Sequence, residues 1–139
     1  MQQWMDWTVK ISDAITDDVQ AKNEINQYFA PNNTEEILLT YGDANFGFLH
    51  ISLRHTEDFA RMFGVHGNAN LLRFLQDLLK DGKYKTYGYN IRQQESRREL
   101  VVIYQVDATK FVKVPIGQNG MIISAIPSDN TNYVLSSDY

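Results

Sequence analysis

Two histidines and an arginine lie close together in the segment Gly47–His55, which reads GFLHISLRH. An imidazole has an ordinary pKa of about 6.5, so it can accept and return a proton near neutral pH. An arginine guanidinium binds phosphate oxygens through parallel N–H groups. His50, Arg54 and His55 are therefore candidates for an acid–base pair with a cation beside a phosphate. The other interpretation is that His50 is a hydrogen-bonded core residue and that Arg54 and His55 cap a helix end.

A single serine interrupts the apolar segment Met121–Pro127, which reads MIISAIP. Burying a hydroxyl without a hydrogen-bond partner costs about 1–3 kcal/mol, so Ser124 needs a reason for its position. One reason is that its hydroxyl donates to a substrate. The alternative is that Ser124 is a small residue on the exposed face of a strand.

Basic and aromatic residues alternate after the midpoint of the chain, at Lys83, Lys85 and Tyr87, and Arg92 follows. Cations that are interleaved with aromatic rings can hold phosphates and stack on bases. We therefore predict that Lys83, Lys85, Tyr87 and Arg92 bind the substrate. The other interpretation is a charged, solvated edge strand.

The sequence lacks the motifs of several other enzyme classes. It has no cysteine, which excludes disulfides and cysteine-bound zinc. It contains no phosphate-loop, dinucleotide-binding or Gly-x-Ser-x-Gly motif. Its three histidines have no carboxylate cluster beside them, so we expect no metal ion and no cofactor.

Charge is distributed unevenly along the chain. Residues 1–50 carry two basic and eight acidic residues, whereas residues 51–139 carry eleven basic and nine acidic ones. A protein that coats nucleic acid would be basic throughout, so this distribution leaves room only for a local basic face. The apolar runs are too short to span a membrane, and the first residues lack the pattern of a signal peptide.

Hydrophobic periodicity predicts helices in the first half of the chain and strands in the second. The expected helical segments are Lys10–Phe29, a short turn at 35–39, Thr56–Gly64, and a helix that begins at Asn68 or Asn70. The expected strands lie near 84–91, 100–106, 110–116 and 121–126, with a bulge at Gly88, a turn at Asn119–Gly120 and an end at Pro127. The predicted fold is α+β, with N-terminal helices packed on a C-terminal antiparallel sheet of about four strands in one domain.

A His-Ile-x-x-Arg-His segment in a helical first half, followed by a last strand that reads Ile-Ile-Ser-Ala-Ile-Pro, resembles a known ribonuclease superfamily. This is the superfamily that joins barnase, EndoU, the colicin tRNases and RelE (the BECR fold). The likeness is to the toxin domains of contact-dependent growth inhibition and of other polymorphic bacterial toxins. It covers residues 45–127 through two short motifs. It divides the chain into a helical N-terminal segment (1–45), a nuclease-like core (46–127) and a tail (128–139).

The resemblance implies metal-independent endoribonuclease activity. One of His50 and His55 would take the proton of a 2′-OH, and the other would protonate the 5′-oxygen leaving group. The residues expected to hold the phosphate are Arg54, Lys83 or Lys85, and Ser124. The products would be a 2′,3′-cyclic phosphate and a 5′-OH end.

The resemblance also implies partners and a location. We expect an RNA substrate, with tRNA favoured, and a cognate immunity protein that blocks the site. The protein would be a secreted or surface-delivered toxin that acts in the cytoplasm of a target cell. The alternative expectation is a non-catalytic interaction module of a toxin or phage system that binds another protein through its sheet edge.

Overall fold

The computed structural model describes residues 6–11, 19–79, 85–94 and 97–132. Within these ranges the chain forms three α-helices, a two-stranded sheet and a four-stranded sheet. The elements in chain order are β1 (Trp7–Lys10), α1 (Val19–Phe29), β2 (Glu36–Leu39), α2 (Gly47–Phe63), α3 (Asn68–Leu79), β3 (Lys85–Gln94), β4 (Arg97–Asp107), β5 (Lys110–Ile116) and β6 (Ile126–Ser128). This architecture confirms the predicted α+β class.

The small sheet corrects two of the sequence predictions. The helix expected to begin at Lys10 is preceded by a strand, because β1 ends at Lys10 and pairs with β2 in antiparallel orientation. The segment 35–39, expected to form a helical turn, contains the strand β2. In β2, Ile37 and Leu39 are buried while Glu36 is exposed, which is the alternation of a half-buried strand. Pairing with β1 therefore overrides the local helix-capping signal.

The helix that carries both candidate histidines is longer than predicted. It was expected to begin at Thr56, but α2 begins at Gly47 and continues to Phe63. Gly64 ends it in the left-handed conformation (φ 67°), as the sequence predicts. The next helix begins at Asn68, one of the two predicted starts. No helix in the described ranges is long and apolar enough to cross a membrane.

The large sheet is an antiparallel meander with the strand order β3-β4-β5-β6. Its first three strands lie within a few residues of the predicted segments. The register between β3 and β4 shifts between Thr86 and Gly88, which confirms the predicted bulge and leaves Tyr87 as the extra residue. The Asn119–Gly120 turn is also confirmed, because Gly120 has φ 84° and its N–H donates to the carbonyl oxygen of Gly117 at 2.9 Å.

The last strand differs in position from the prediction. The sequence places it at 121–126 and ends it at Pro127, whereas β6 comprises Ile126–Ser128 with Pro127 opposite Val112. Proline is compatible with this strand because β6 lies at the edge of the sheet, where a missing N–H breaks no ladder bond. The preceding residues form isolated bridges to both sheets, Met121 with Leu38 and Ile122 with Ile116.

One hydrophobic core lies between the helices and one face of the large sheet. The sheet contributes Leu100, Val102, Tyr104, Val112, Val114 and Ile116, and the helices contribute Tyr28, Phe29, Ile51, Phe59, Leu75 and Leu78. The hydroxyl of Tyr28 donates to the carbonyl oxygen of Ile116 at 2.6 Å, which ties α1 to β5. The opposite face of the sheet is buried as well, since Val101 and Ile103 have no exposed surface.

Candidate functional site

Backbone hydrogen bonds to the loop before it and to the segment before β6 fix the first turn of α2. The N–H of Gly47 donates to the carbonyl oxygen of Ile123 at 3.1 Å, and the N–H of Phe48 donates to that of Thr40 at 2.9 Å. These N–H groups have no partner inside a helix, so the tertiary bonds replace a side-chain cap. Gly47 has φ 82°, and a Cβ there would lie 2.9 Å from the backbone of the preceding loop, so glycine permits this close approach.

His50 lies one turn into α2 and is 3% exposed. Its Nδ1 lies 2.8 Å from the carbonyl oxygen of Ala44. A carbonyl oxygen can only accept, so Nδ1 carries the hydrogen and Nε2 of the neutral ring carries the lone pair. Nε2 is buried and has no hydrogen-bond partner in the described part of the chain. It is therefore the ring atom that a hydrogen-bond donor or a proton would meet.

His55 is 6% exposed, and both of its ring nitrogens are buried without a hydrogen-bond partner among the described residues. Asp58 Oδ2 lies 3.7 Å from His55 Nδ1, just beyond hydrogen-bond range. Burial lowers the pKa of His55 because it removes water from the imidazolium form, and the charges of His50 and Arg54 act in the same direction. Asp58 opposes these effects and raises the pKa.

The lowered pKa of His55 predicts that acidification destabilises the fold. In the unfolded chain this imidazole titrates near its ordinary pKa of about 6.5, so between that value and the lower folded pKa the unfolded state binds more protons. The contribution is fully present above about pH 6.5 and is lost as the pH falls towards the folded pKa. In urea titrations, the free energy of unfolding should fall more steeply on acidification in the wild type than in His55→Asn. Equal slopes would contradict this prediction.

The two imidazoles lie next to each other inside the protein. Their ring centroids are 6.1 Å apart and their planes are inclined by 80°. This is the edge-to-face arrangement of two rings packed in the interior. Arg54 lies on the same helix with its side chain exposed. The structure thus brings together three of the predicted residues, with both histidines buried and the arginine at the surface.

Ser124 lies beside the start of α2, because it follows Ile123, whose carbonyl oxygen accepts from Gly47. Its side chain is 0% exposed, so the alternative of an exposed strand face is wrong. In the described part of the chain neither Ser124 Oγ nor Thr40 Oγ1 has a hydrogen-bond partner. The residue after β2 and the segment before β6 therefore each carry a buried hydroxyl without a partner among the described residues, next to backbone that binds the first turn of α2.

Replacing Ser124 with alanine is expected to raise the free energy of unfolding by about 1 kcal/mol, because it removes a buried hydroxyl that has no partner. Urea denaturation with an unchanged m-value measures this. Thr40→Val is the matched variant, since it removes the second unpaired hydroxyl at nearly constant volume. A loss of stability in Ser124→Ala would show that the hydroxyl is satisfied after all.

The predicted substrate-binding strand lies away from the histidines. Lys83 is outside the described residues, and so is the side chain of Lys85, whose backbone belongs to β3. Tyr87 is 53% exposed, and its ring packs edge-on against Phe111 with centroids 5.1 Å apart. Phe111 precedes the core residue Val112 in β5, so it points to the other face of the sheet. Tyr87 therefore lies on the face turned away from the helices.

Arg92 is paired with a buried carboxylate. Its Nε and Nη2 donate to Glu99 Oε1 at 3.2 and 2.9 Å, and Glu99 is 1% exposed. Glu99 precedes the core residue Leu100 in β4, so this ion pair also lies on the face turned away from α2. The structure does not bring Arg92 to the histidines, and it gives the guanidinium a structural partner.

Neither of two grooves that are formed by described residues is lined by the candidate catalytic side chains. The first, of about 420 Å³, is lined by residues that include Phe46, Arg98, Gln118 and Ile123. The second, of about 580 Å³, is lined by residues that include Arg61, Lys110 and Ser128. The cleft predicted between His50 and Ser124 stays a prediction. Within the described ranges, no cluster of three or more histidine and acidic side chains has the arrangement of a metal site.

Two groups that act on the imidazoles were missed from the sequence. One is the backbone carbonyl of Ala44, which a sequence cannot reveal because it depends on the path of the loop. The other is the carboxylate of Asp58, which follows His55 by three residues on α2. That spacing places two side chains on one helix face, so it was the available signal.

No family model matches this chain, and no curated protein sequence matches it.

Proposed function

We propose that this protein is a metal-independent endoribonuclease in which His50 and His55 transfer the protons. The observation that carries the proposal is the pair of neighbouring buried imidazoles, with ring centroids 6.1 Å apart, each with a buried ring nitrogen that has no hydrogen-bond partner among the described residues. Buried polar atoms are nearly always paired, and the exceptions concentrate at sites with a chemical role. Two such histidines on one helix supply the acid and the base of a proton-transfer reaction.

The chemistry matches what these residues can do. A ribose 2′-OH attacks the adjacent phosphorus once a base has taken its proton, and the bond to the 5′-oxygen breaks as an acid protonates that oxygen. The products are a 2′,3′-cyclic phosphate and a 5′-OH end. Arg54 supplies a positive charge for the phosphate oxygens of the transition state. No step requires an ion.

The site is closed in this structure, because His50 and His55 are 3% and 6% exposed. A phosphate reaches their free nitrogens only if neighbouring chain moves. The loop before α2 is the segment in direct contact, since the carbonyl of its residue Ala44 accepts from His50. The proposal therefore requires an opening of this region when RNA binds.

Incubation of the purified protein with total cellular RNA in EDTA tests the activity. We expect cleavage in the chelator, with fragments that carry 5′-OH and 2′,3′-cyclic phosphate ends. The same preparation of the double variant His50→Asn, His55→Asn controls for contaminating ribonuclease. Fragments with 5′-phosphates, or cleavage abolished by EDTA, would contradict the mechanism.

The sequence resemblance extends the proposal to substrate and partners. It favours tRNA as the RNA that is cut, a role as a secreted or surface-delivered toxin that acts in the cytoplasm of a target cell, and inhibition by a cognate immunity protein. Comparing the cleavage of tRNA and ribosomal RNA in the same digest tests the substrate. Slower amide exchange in the first turns of α2, when the product of the neighbouring gene is added, tests the partner.

A second candidate function is protein binding through the edge of the sheet. It is favoured by β3, which is ten residues long, lies at the end of the strand order and bears the exposed Tyr87. Edge strands are templates for pairing with a strand of another protein. Slower exchange of the Lys85–Gln94 amides with that same gene product, together with absence of RNA cleavage, would favour this function over the nuclease.

A further inference from the structure

We propose that the groove of about 420 Å³, lined by residues that include Phe46, Arg98, Gln118 and Ile123, binds one nucleotide of single-stranded RNA. The base packs on the apolar part of the lining, and a phosphate binds at Arg98. The choice of RNA as the source of this nucleotide rests on the proposed function. The volume lies within the range of about 300–1,000 Å³ that is typical of small-molecule sites.

The apolar part of the lining is suited to a flat ring. Phe46, Met121 and Ile123 line the groove, and each of them is partly exposed to solvent. Proteins hold the unstacked bases of single-stranded RNA against aromatic and apolar side chains, because every base has an apolar face. The ring of Phe46 and the thioether of Met121 therefore offer a nucleobase the contacts that it needs.

Two side-chain amides on consecutive residues form a polar part of the lining. Nε2 of Gln118 donates to the carbonyl oxygen of Tyr28 at 2.9 Å, and Oδ1 of Asn119 accepts from the N–H of Met121 at 3.0 Å. These bonds fix which end of each amide is used inside the protein. The opposite ends are an acceptor, Oε1 of Gln118, and a donor, Nδ2 of Asn119. The edge of a base carries the matching donors and acceptors.

Arg98 gives the groove a positive charge. It is exposed, and its Cζ lies 5.9 Å from the centroid of the Tyr28 ring, a distance at which a guanidinium is attracted to the ring face. Tyr28 is fully buried, so the arginine rests on a fixed ring. Glu99, the acidic residue among those that line the groove, is 1% exposed and accepts from Arg92. The charge presented to solvent is therefore positive, and it complements a phosphate.

The turn that carries the two amides is held by other parts of the fold. The hydroxyl of Thr34 donates to the carbonyl oxygen of Gln118 at 2.8 Å. The N–H of Leu38 donates to the carbonyl oxygen of Gly120 at 2.8 Å, which ties the turn to β2. A site that is already ordered loses less conformational entropy when a ligand binds.

The groove shares its lining with the loop before α2. Phe46 is the last residue of that loop, and the carbonyl oxygen of Ala44, two residues earlier, accepts from Nδ1 of His50. Ile123 also lines the groove, and its carbonyl oxygen accepts from Gly47 in the first turn of α2. A nucleotide in the groove therefore contacts the loop whose opening the proposed function requires.

Binding is measured without cleavage. The probes are the four ribonucleoside 5′-monophosphates, added to isotope-labelled protein and followed by the NMR shifts of its amides. With at least one of them, we expect the shifts to concentrate at Phe46, at residues 117–121 and at Ile123. The matching nucleoside, which lacks the phosphate, and ribose 5-phosphate, which lacks the base, should each bind more weakly than that nucleotide.

Two results of this titration overturn the inference. One is the absence of shifts at these amides with all four nucleotides, or shifts centred instead on the groove lined by Arg61 and Lys110. The other is equal affinity for ribose 5-phosphate and for the nucleotide, because the groove would then bind a phosphate and no base.

Substitutions identify the contacts. Arg98→Gln should weaken nucleotide binding by about tenfold, since it removes a hydrogen bond between charged groups. Phe46→Leu keeps an apolar side chain but removes the aromatic ring, and it should weaken binding by about tenfold as well. Arg61→Gln is the matched control, because it removes an exposed cation that lines the second groove, and it should leave the affinity unchanged. Wild-type affinity in both Arg98→Gln and Phe46→Leu overturns the inference.

The contribution to cleavage is measured on RNA. Arg98→Gln should raise KM for a labelled RNA and leave kcat near that of the wild type, because the groove binds substrate away from the bonds that react. If RNA is cut but no nucleotide binds in the groove, the proposed function stands and this inference fails. If nucleotides bind in the groove but the wild type cuts no RNA, the nucleotide site stands and the proposed function fails.

Discussion

Replacing either His50 or His55 with asparagine is expected to reduce RNA cleavage by about 10²–10⁴-fold. The 2′-OH is a poor nucleophile until a base takes its proton, and the 5′-oxygen is a poor leaving group until an acid supplies one. Each histidine carries one of these transfers. The measurement is the initial rate of cleavage of a labelled RNA at saturating and at low concentration, which separates kcat from KM.

Asparagine is preferred to alanine because both side chains are buried. Alanine would leave a cavity in the core and lower stability, which would confuse loss of chemistry with loss of fold. In His50→Asn, the side-chain amide retains a donor near the carbonyl of Ala44 while the proton acceptor Nε2 is gone. His66→Asn is the matched control, because His66 is exposed in the connection between α2 and α3.

The two single variants and the control give distinct outcomes. Loss of cleavage in both, with circular dichroism and urea midpoints near those of the wild type, supports the proposed roles. Full activity in both single variants would remove histidine from the mechanism. Loss in only one variant would mean that the other imidazole is structural, as the alternative interpretation of His50 holds.

The sheet was more predictable than the helices because its signals are local. Strands β4 and β5 contain runs of β-branched and aromatic residues, and the turn between β5 and the last segment carries Asn119–Gly120. By contrast, β2 is a four-residue run whose state depends on pairing with β1. A short apolar run does not distinguish helix from strand. The helix-capping pattern before this run therefore decided the prediction of a helical turn, and that prediction is wrong.

The start of α2 could not be predicted because its cap comes from backbone carbonyls that the fold brings to it, one of them from the C-terminal part of the chain. Gly47 and Phe48 are poor helix starters by type, and Phe46 provides no side-chain cap. The helix begins there because the carbonyl oxygens of Ile123 and Thr40 accept the first N–H groups. Position 56, with its threonine followed by two acidic residues, had the better local signal and lies in the middle of the helix instead.

The residues of the candidate site could be predicted from the sequence, but the burial of their side chains could not. The spacing of His50 and His55 places both on α2, and the structure brings their rings together. Their burial depends on how α2 packs against the core. The residue types at positions 50 and 55 alone do not predict that packing. Arg92 looked available for substrate in the sequence because nothing there pairs it with Glu99. The two residues become neighbours only through the register of the β3–β4 hairpin.

Replacing Arg92 with glutamine is expected to lower the free energy of unfolding by about 3–5 kcal/mol. The substitution leaves the carboxylate of Glu99, which is 1% exposed, without the guanidinium that donates two hydrogen bonds to it. A buried charge that loses its oppositely charged partner keeps its desolvation cost and loses the attraction that offset it. Urea unfolding at constant m-value measures the loss, and amide exchange in β3 and β4 locates it.

The double variant Arg92→Gln, Glu99→Gln separates the charge from the packing. Because it removes both charges and keeps similar volumes, it should recover most of the stability lost in Arg92→Gln, and the cycle gives the interaction energy of the pair.

Arg98→Gln on the same hairpin is the control; Arg98 is exposed, so its loss should cost less than about 1 kcal/mol. If Arg92→Gln is as stable as the wild type but raises KM for RNA, the sequence prediction of substrate binding is the correct role. The pairing with Glu99, on the sheet face opposite α2, leads us to expect the reverse: a less stable protein whose folded molecules keep the wild-type KM.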